Sequence, residues 1–153
     1  MSNYKGHCIF NVLYALPALI AAQFYILHPK PLYLFIFIGA FIYTTLFMNP
    51  DLDLVHSIKL WSVRGIFSLP FRAYSSVFKH RGVSHSFFLG SLTLIAWLGG
   101  IALLVFFFIY QTLPSKSNFM HYWTNYKPFL FYGLTGISIA DWCHLILDLR
   151  LHR

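Results

Sequence analysis

The stretch FFLGSLTLIAWLGGIALLVFFFIY, Phe87 to Tyr110, carries no charged residue from end to end. An α-helix rises about 1.5 Å per residue, so about 20 apolar residues cross a hydrocarbon core about 30 Å thick. The stretch therefore reads as a membrane-spanning helix. The rest of the chain agrees with it: 58% of the 153 residues are hydrophobic, 20% aromatic and only 10% charged. A soluble domain holds about 45–50% apolar and about 25% charged residues.

Downstream of Phe87–Tyr110, residues Gln111 to Lys127 contain Pro114, Ser115, Ser117 and Asn118 and read as a loop. A further span follows over about 128–149. Upstream, a first span covers about 8–27 and includes Pro17, which membrane helices tolerate. It is too long for the core of a signal peptide and is read as a retained helix. His28-Pro29-Lys30-Pro31 makes a tight turn, and a second span of about 32–48 ends at Asn49-Pro50, where proline disfavours further helix. Between the second and third spans no run is long enough to cross. Phe67, Phe71, Tyr74 and Phe78 recur there at helical spacing, with Arg72, Ser75 and Lys79 between them, which suits an interfacial helical segment over about 58–79. The expected fold is an all-α integral membrane protein, a single membrane domain over 1–153 with about four transmembrane helices plus that segment.

Four crossings place the N-terminus, residues 51–85 and the C-terminus on one side. That side carries Lys5, Lys59, Arg64, Arg72, Lys79, Arg81, Arg150 and Arg153, against Lys30, Lys116 and Lys127 on the other. The positive-inside rule makes the richer side, and both termini, cytoplasmic. Loop charges that set orientation account for the basic balance, so nucleic acid is not an expected partner. Cys8 and Cys143 lie in apolar runs and read as packing residues, although Cys143 next to His144 leaves a thiolate ligand open.

The chemistry collects at the same face. The chain has four acidic residues, Asp51, Asp53, Asp141 and Asp148, and no glutamate. All four fall on the basic side or in the adjoining half of the last span, where His7, His80, His85 and His144 also belong. Asp141, His144 and Asp148 stand at i, i+3 and i+7 and share one helical stripe. A carboxylate in the bilayer centre costs about 2.5–3.5 kcal/mol on insertion scales, so such residues face protein or water and have partners. In Pro50-Asp51-Leu52-Asp53 the two carboxylates share one side of an extended segment, although Asp53 alone would serve as a helix cap. In His80-Arg81-Gly82-Val83-Ser84-His85-Ser86, Gly82 can turn the chain so that both imidazoles aim at one point. Imidazole nitrogen with carboxylate oxygen suits Zn, Mn or Fe, with Zn or Mn leading. His28, His121 and His152 have weaker claims, while His56 sits near Asp53 and could support a ligand.

These elements, Gly6-His7, Pro50-Asp51-Leu52-Asp53, His80-Arg81-Gly82-Val83-Ser84-His85-Ser86 and His144 followed by Asp148, resemble in order the pattern of the YdjM-like membrane-bound metal-dependent hydrolase family of bacteria and its PDLD-bearing metal-binding relatives. The resemblance implies a metal-dependent hydrolase in the bacterial inner membrane, with His7, Asp51, Asp53, His80, His85, His144 and Asp148 at the metal-binding positions. Asp141 can be aligned with the final motif in more than one way. The HxxxD pattern is also similar, distantly, to zinc-dependent phospholipase C enzymes.

The expected function is hydrolysis of a phosphoester of a lipid or amphiphile. Seven or eight candidate ligands favour two ions, which would activate water and neutralise developing charge. Arg81 would grip phosphate, Ser84 or Ser86 would donate a hydrogen bond to it, and an aspartate left off the metal, Asp53 or Asp141, would act as base. The basic, aromatic segment reads first as a membrane anchor and second as a cradle for an anionic lipid headgroup. The alternatives are a metal-binding transporter, whose ligands belong near the midplane on broken helices, and a non-catalytic scaffold around a closed structural metal.

Overall fold

A computed structural model describes residues 4–47, 61–77 and 87–151. Every element among them is a helix: α1 (Tyr4–Phe10), a π-helical turn (Asn11–Ala15), α2 (Leu16–Leu27), α3 (Pro31–Phe47), α4 (Val63–Phe67), α5 (Leu69–Val77), α6 (Phe87–Tyr110) and α7 (Lys116–Leu151).

The first leg is helical from Tyr4, so His7 lies inside it rather than ahead of it. Its π-turn has a local cause. Pro17 starts α2 without an N–H, and its ring crowds the carbonyl four residues earlier; a wider turn just upstream relieves that crowding. The Leu16 N–H accordingly donates to the Asn11 carbonyl, five residues back. The leg ends at His28, whose φ of 45° is the left-handed conformation that closes many helices. Pro31 then opens α3.

α3 lies along α7, and the contact is backbone on backbone. A Cβ added at Gly136 would stand 2.7 Å from the Phe37 carbonyl oxygen and 3.0 Å from the Ala40 Cβ. Gly136 and Ala140 form a small-xxx-small face of the kind that lets membrane helices approach closely. Tyr33 stacks on Tyr132 and meets Phe129 edge-on one turn earlier, so the two helices run in the same direction. Leu16, Phe37, Phe41 and Ala140 are the buried centre of this packing. α6 runs against α7: Ser91 meets Asp141, and Leu94 lies beside Ile137. The first leg, α3, α6 and α7 thus alternate in direction, as consecutive crossings require.

Outside this core the helices are apolar outward as well, with Tyr25, Phe35, Leu92, Leu104 and Phe108 all exposed. Gly6–Leu27, Leu89–Tyr110 and Lys116–Leu147 are long and apolar enough to cross a membrane, while Pro31–Phe47 is a shorter apolar helix.

Two expectations are corrected. Residues 116–127, read as part of a loop, are the first turns of α7, which continues through Pro128. Ser115 is the reason: its Oγ accepts from the Asn118 N–H at 3.2 Å, an N-cap that starts the helix. The segment 58–79 is not one helix along the interface within its described part. Ser62 caps α4 by accepting from the Gly65 N–H, and the chain breaks at Ser68 before Pro70 restarts it as α5. Phe71 and Tyr74 do not face lipid; they are buried with Leu94, and Trp97 Nε1 donates to the Pro70 carbonyl at 3.0 Å. Phe67 alone of the described aromatic stripe is exposed.

Candidate metal centre

One end of the bundle holds a buried polar layer in an otherwise apolar molecule: His7, Asn11, Thr44, Thr45, Ser91, Asp141 and His144. Buried polar groups are costly unless they meet partners, so a layer of them marks either a hydrogen-bonded network or a ligand site. All four legs contribute to the layer. α7 supplies Asp141 and His144 one turn apart. α1 supplies His7, and the π-turn supplies Asn11 on the same helical face one turn later. α3 supplies Thr44 and Thr45 from its last turn, and α6 supplies Ser91 from its first.

Across the layer His7 meets His144, 137 positions away in sequence. Their rings lie 4.1 Å apart between centroids and are tilted by 36°. Both residues are nearly sealed, at 1% and 2% exposure. Asp141 is held from α6: the Ser91 hydroxyl donates to its Oδ2 at 2.8 Å. Hydrogen bonds to an ionised acceptor are roughly twice as strong as neutral ones, so this bond ties α6 to α7. The charge of Asp141 also reaches α5. Burial pushes the Tyr74 phenol above its ordinary value, a hydrogen bond with Thr93 pulls it down, and the Asp141 carboxylate adds to the rise. Tyr74 Oη and Thr93 Oγ1 are 2.8 Å apart.

On the other side of the layer Asn11 Nδ2 donates to Thr45 Oγ1 at 3.4 Å, and Cys8 Sγ lies 3.8 Å from the Thr45 carbonyl. Asn11 Oδ1 is buried and has no hydrogen-bond partner among the described residues.

Of the residues expected to carry chemistry, the structure brings together His7 and His144; Asp141 lies one turn before His144 on α7 and bonds to Ser91. Asp148 follows on α7 at the next turn, placed by its backbone. Asp51, Asp53, His80, Arg81, Ser84, His85 and Ser86, with His56 and His152, lie outside the described residues. Among the described residues no three His, Cys, Asp or Glu side chains converge as a cation-binding group. His28 and His121 are elsewhere: His28 closes α2, and His121 contacts Asn125 on the exposed start of α7. By chemistry the donors in the layer, two imidazoles, a carboxylate and an amide oxygen with spare accepting capacity, are of the types that divalent cations accept. Sequence reading missed Asn11, Thr45 and Ser91. Asn11 carries a signal, four residues after His7 on the same face; Ser91 and Thr45 acquire meaning only from helices that pack beside them.

Fold and layer together define a class: an all-helical bundle with helices of membrane-crossing length and a buried histidine–aspartate layer at one end. Within that class the chain belongs to the family described as uncharacterized metal-binding protein (DUF2227), which it matches over residues 6–152. The match bears out the metal-binding part of the expected resemblance, over almost the full chain, and does not extend to a YdjM-like hydrolase. No curated protein and no solved structure matches the chain.

Proposed function

We propose that this protein is a membrane-embedded, metal-dependent hydrolase that acts on a phosphoester of a lipid or amphiphile at the cytoplasmic face of the bacterial inner membrane. The observation that carries the reading is the sealed His7–His144 pair, two imidazoles from opposite ends of the chain with ring centroids 4.1 Å apart, in a layer that also buries Asp141. Membership of a metal-binding family supports it. So does chain connectivity: Asp51 and Asp53 follow the last residue of α3, Phe47, by four and six positions, and His85 precedes the first residue of α6, Phe87, by two.

On this reading His7, His80, His85, His144, Asp51, Asp53 and Asp148 hold one or two Zn or Mn ions. Such ions, when bound, lower the pKa of a coordinated water and offset charge on a phosphoryl group. Arg81 grips a phosphate oxygen through its planar fork, and Ser84 or Ser86 donates a hydrogen bond to another. Asp53 or Asp141 takes the proton from the attacking water, Asp141 being held in place for that by Ser91. The near-complete burial of His7 and His144 favours a second reading, a closed structural metal in a non-catalytic scaffold.

The test is elemental analysis of detergent-purified protein, wild type against the His85→Ala, Asp148→Ala double variant. Zn or Mn near one or two per chain, lost in the variant, supports the site and justifies assays on phospholipids and phosphomonoesters. A folded preparation that holds neither ion after reloading with both sinks it. Metal retained with no turnover on either substrate class leaves the scaffold reading.

A further inference from the structure

We infer that Asn11 is part of the metal centre: its side-chain oxygen contributes to the His7–His144 site, to a divalent cation or to a water held by one. The inference rests on the metal-binding reading above and adds a residue that the pattern of histidines and aspartates does not contain.

Asn11 is 1% exposed, as buried as His7. An asparagine amide carries two donors and an acceptor with two lone pairs, and burying it without partners costs about 1–3 kcal/mol. Here only half of the group is used. Nδ2 donates to Thr45 Oγ1 at 3.4 Å, which fixes the amide plane from α3, while Oδ1 is buried with no partner among the described residues. An apolar side chain would fill the same space without that cost. The amide lies four residues after His7 on the first leg, buried in the same polar layer as His144, and its open atom is a hard oxygen donor of the type that divalent cations and their waters accept.

The backbone around Asn11 points the same way. The π-turn starts at Asn11 and touches both α3 and α7, the helices that carry Thr45 and His144. Pro17 alone explains why a wide turn is needed upstream of it. The turn's position then places Asn11 on the face of His7, one turn deeper into the bundle. Single π-turns are rare and occur often at functional sites. Thr45 acts through Asn11 as a positioning residue: with its hydroxyl accepting from Nδ2, the oxygen end of the amide is turned away from α3.

The experiment uses the full chain in detergent with Co²⁺ as a spectroscopic probe and Zn²⁺ as competitor. Wild type, Asn11→Asp, Asn11→Leu and His144→Ala are compared by visible absorption and by competition titration. The expected result is loss of Co²⁺ binding in His144→Ala, a weakening of about 10- to 100-fold in Asn11→Leu, and retained binding with a shifted visible band in Asn11→Asp, because a carboxylate replaces the amide oxygen. A helix-content measurement accompanies each variant. Should Asn11→Leu fail to fold, the nearly isosteric Asn11→Asp decides: a band and an affinity identical to wild type overturn the role of Asn11. If Asn11→Leu folds and binds Co²⁺ as wild type does while His144→Ala does not, the Asn11 inference falls and the metal centre stands. Wild-type binding in His144→Ala overturns both.

Discussion

Ser91 and Asp141 show how one hydrogen bond can decide the fate of a charge in an apolar setting. The carboxylate stands in the half of α7 closest to the polar layer, and the Ser91 hydroxyl satisfies one of its oxygens from the neighbouring helix. Removing the carboxylate leaves a buried hydroxyl in need of a partner, whereas an amide can still accept from it. Asp141→Ala is expected to destabilise the protein by about 1–3 kcal/mol and Asp141→Asn by less, as read from thermal unfolding in detergent. Equal losses in the two variants would show that the bond to Ser91 contributes little. At this scale much was legible in advance. His7, Asp141 and His144 declared themselves by chemistry, because ionisable groups are expensive in apolar runs and so stand out against them. Asn11 and Ser91 did not, since small neutral polar residues are common in apolar helices and acquire a role only from what packs against them.

Helix boundaries turned on details of capping and packing. Phe87–Tyr110 is helical throughout, as its own composition dictates. α7 is longer than its apolar portion because the Ser115 cap starts it twelve residues before Pro128. The aromatic stripe of 58–79 had the right period, but period alone does not say which surface a helix covers. Trp97 and Tyr43 hold that segment by donating to the Pro70 and Phe67 carbonyls, so Phe71 and Tyr74 turn inward. The α3–α7 seam offers the sharpest element-scale test. Gly136→Ala forces a Cβ against the backbone of α3 and is expected to cost about 1–3 kcal/mol. Gly99→Ala and Gly100→Ala on α6, where an added Cβ meets nothing within 4 Å, are expected to be neutral or to stabilise by up to about 1 kcal/mol. Unfolding in a graded detergent series measures all three, and a Gly136→Ala variant as stable as wild type would show that the helices can separate without loss.

For the molecule as a whole, alternating legs put the buried polar layer at the end where the first leg and α6 begin and α3 and α7 finish. Lys and Arg outnumber those on the opposite side by eight to three when four crossings are assumed. By the positive-inside rule the expected orientation has the richer side in the cytoplasm. In a bacterial host a green fluorescent protein fused after Arg153 is expected to fluoresce, and alkaline phosphatase fused within residues 111–115 to be active. Active phosphatase at Arg153 would reverse the orientation and place the polar layer at the outer face. α7, at 36 residues, is about 54 Å long, well beyond a hydrocarbon core of about 30 Å. Its first turns expose Phe119, Tyr122, Trp123 and Tyr126 with Lys116 and Lys127 at either end, a composition that suits the headgroup layer.

The sequence by itself determined that the described chain is helical, that its long apolar runs are of membrane-crossing length, and that His7, Asp141 and His144 stand out from the apolar runs that hold them. It could do so because the enthalpy of unmet backbone groups and the cost of burying charge act on every residue independently of its neighbours. Only the tertiary structure decided that His7 meets His144, that Ser91 holds Asp141, that Gly136 is a contact and Gly99 is not, and that Asn11 joins the layer. Those facts depend on rotation and register between helices far apart in the chain, and side-chain packing sets them only when the legs are side by side.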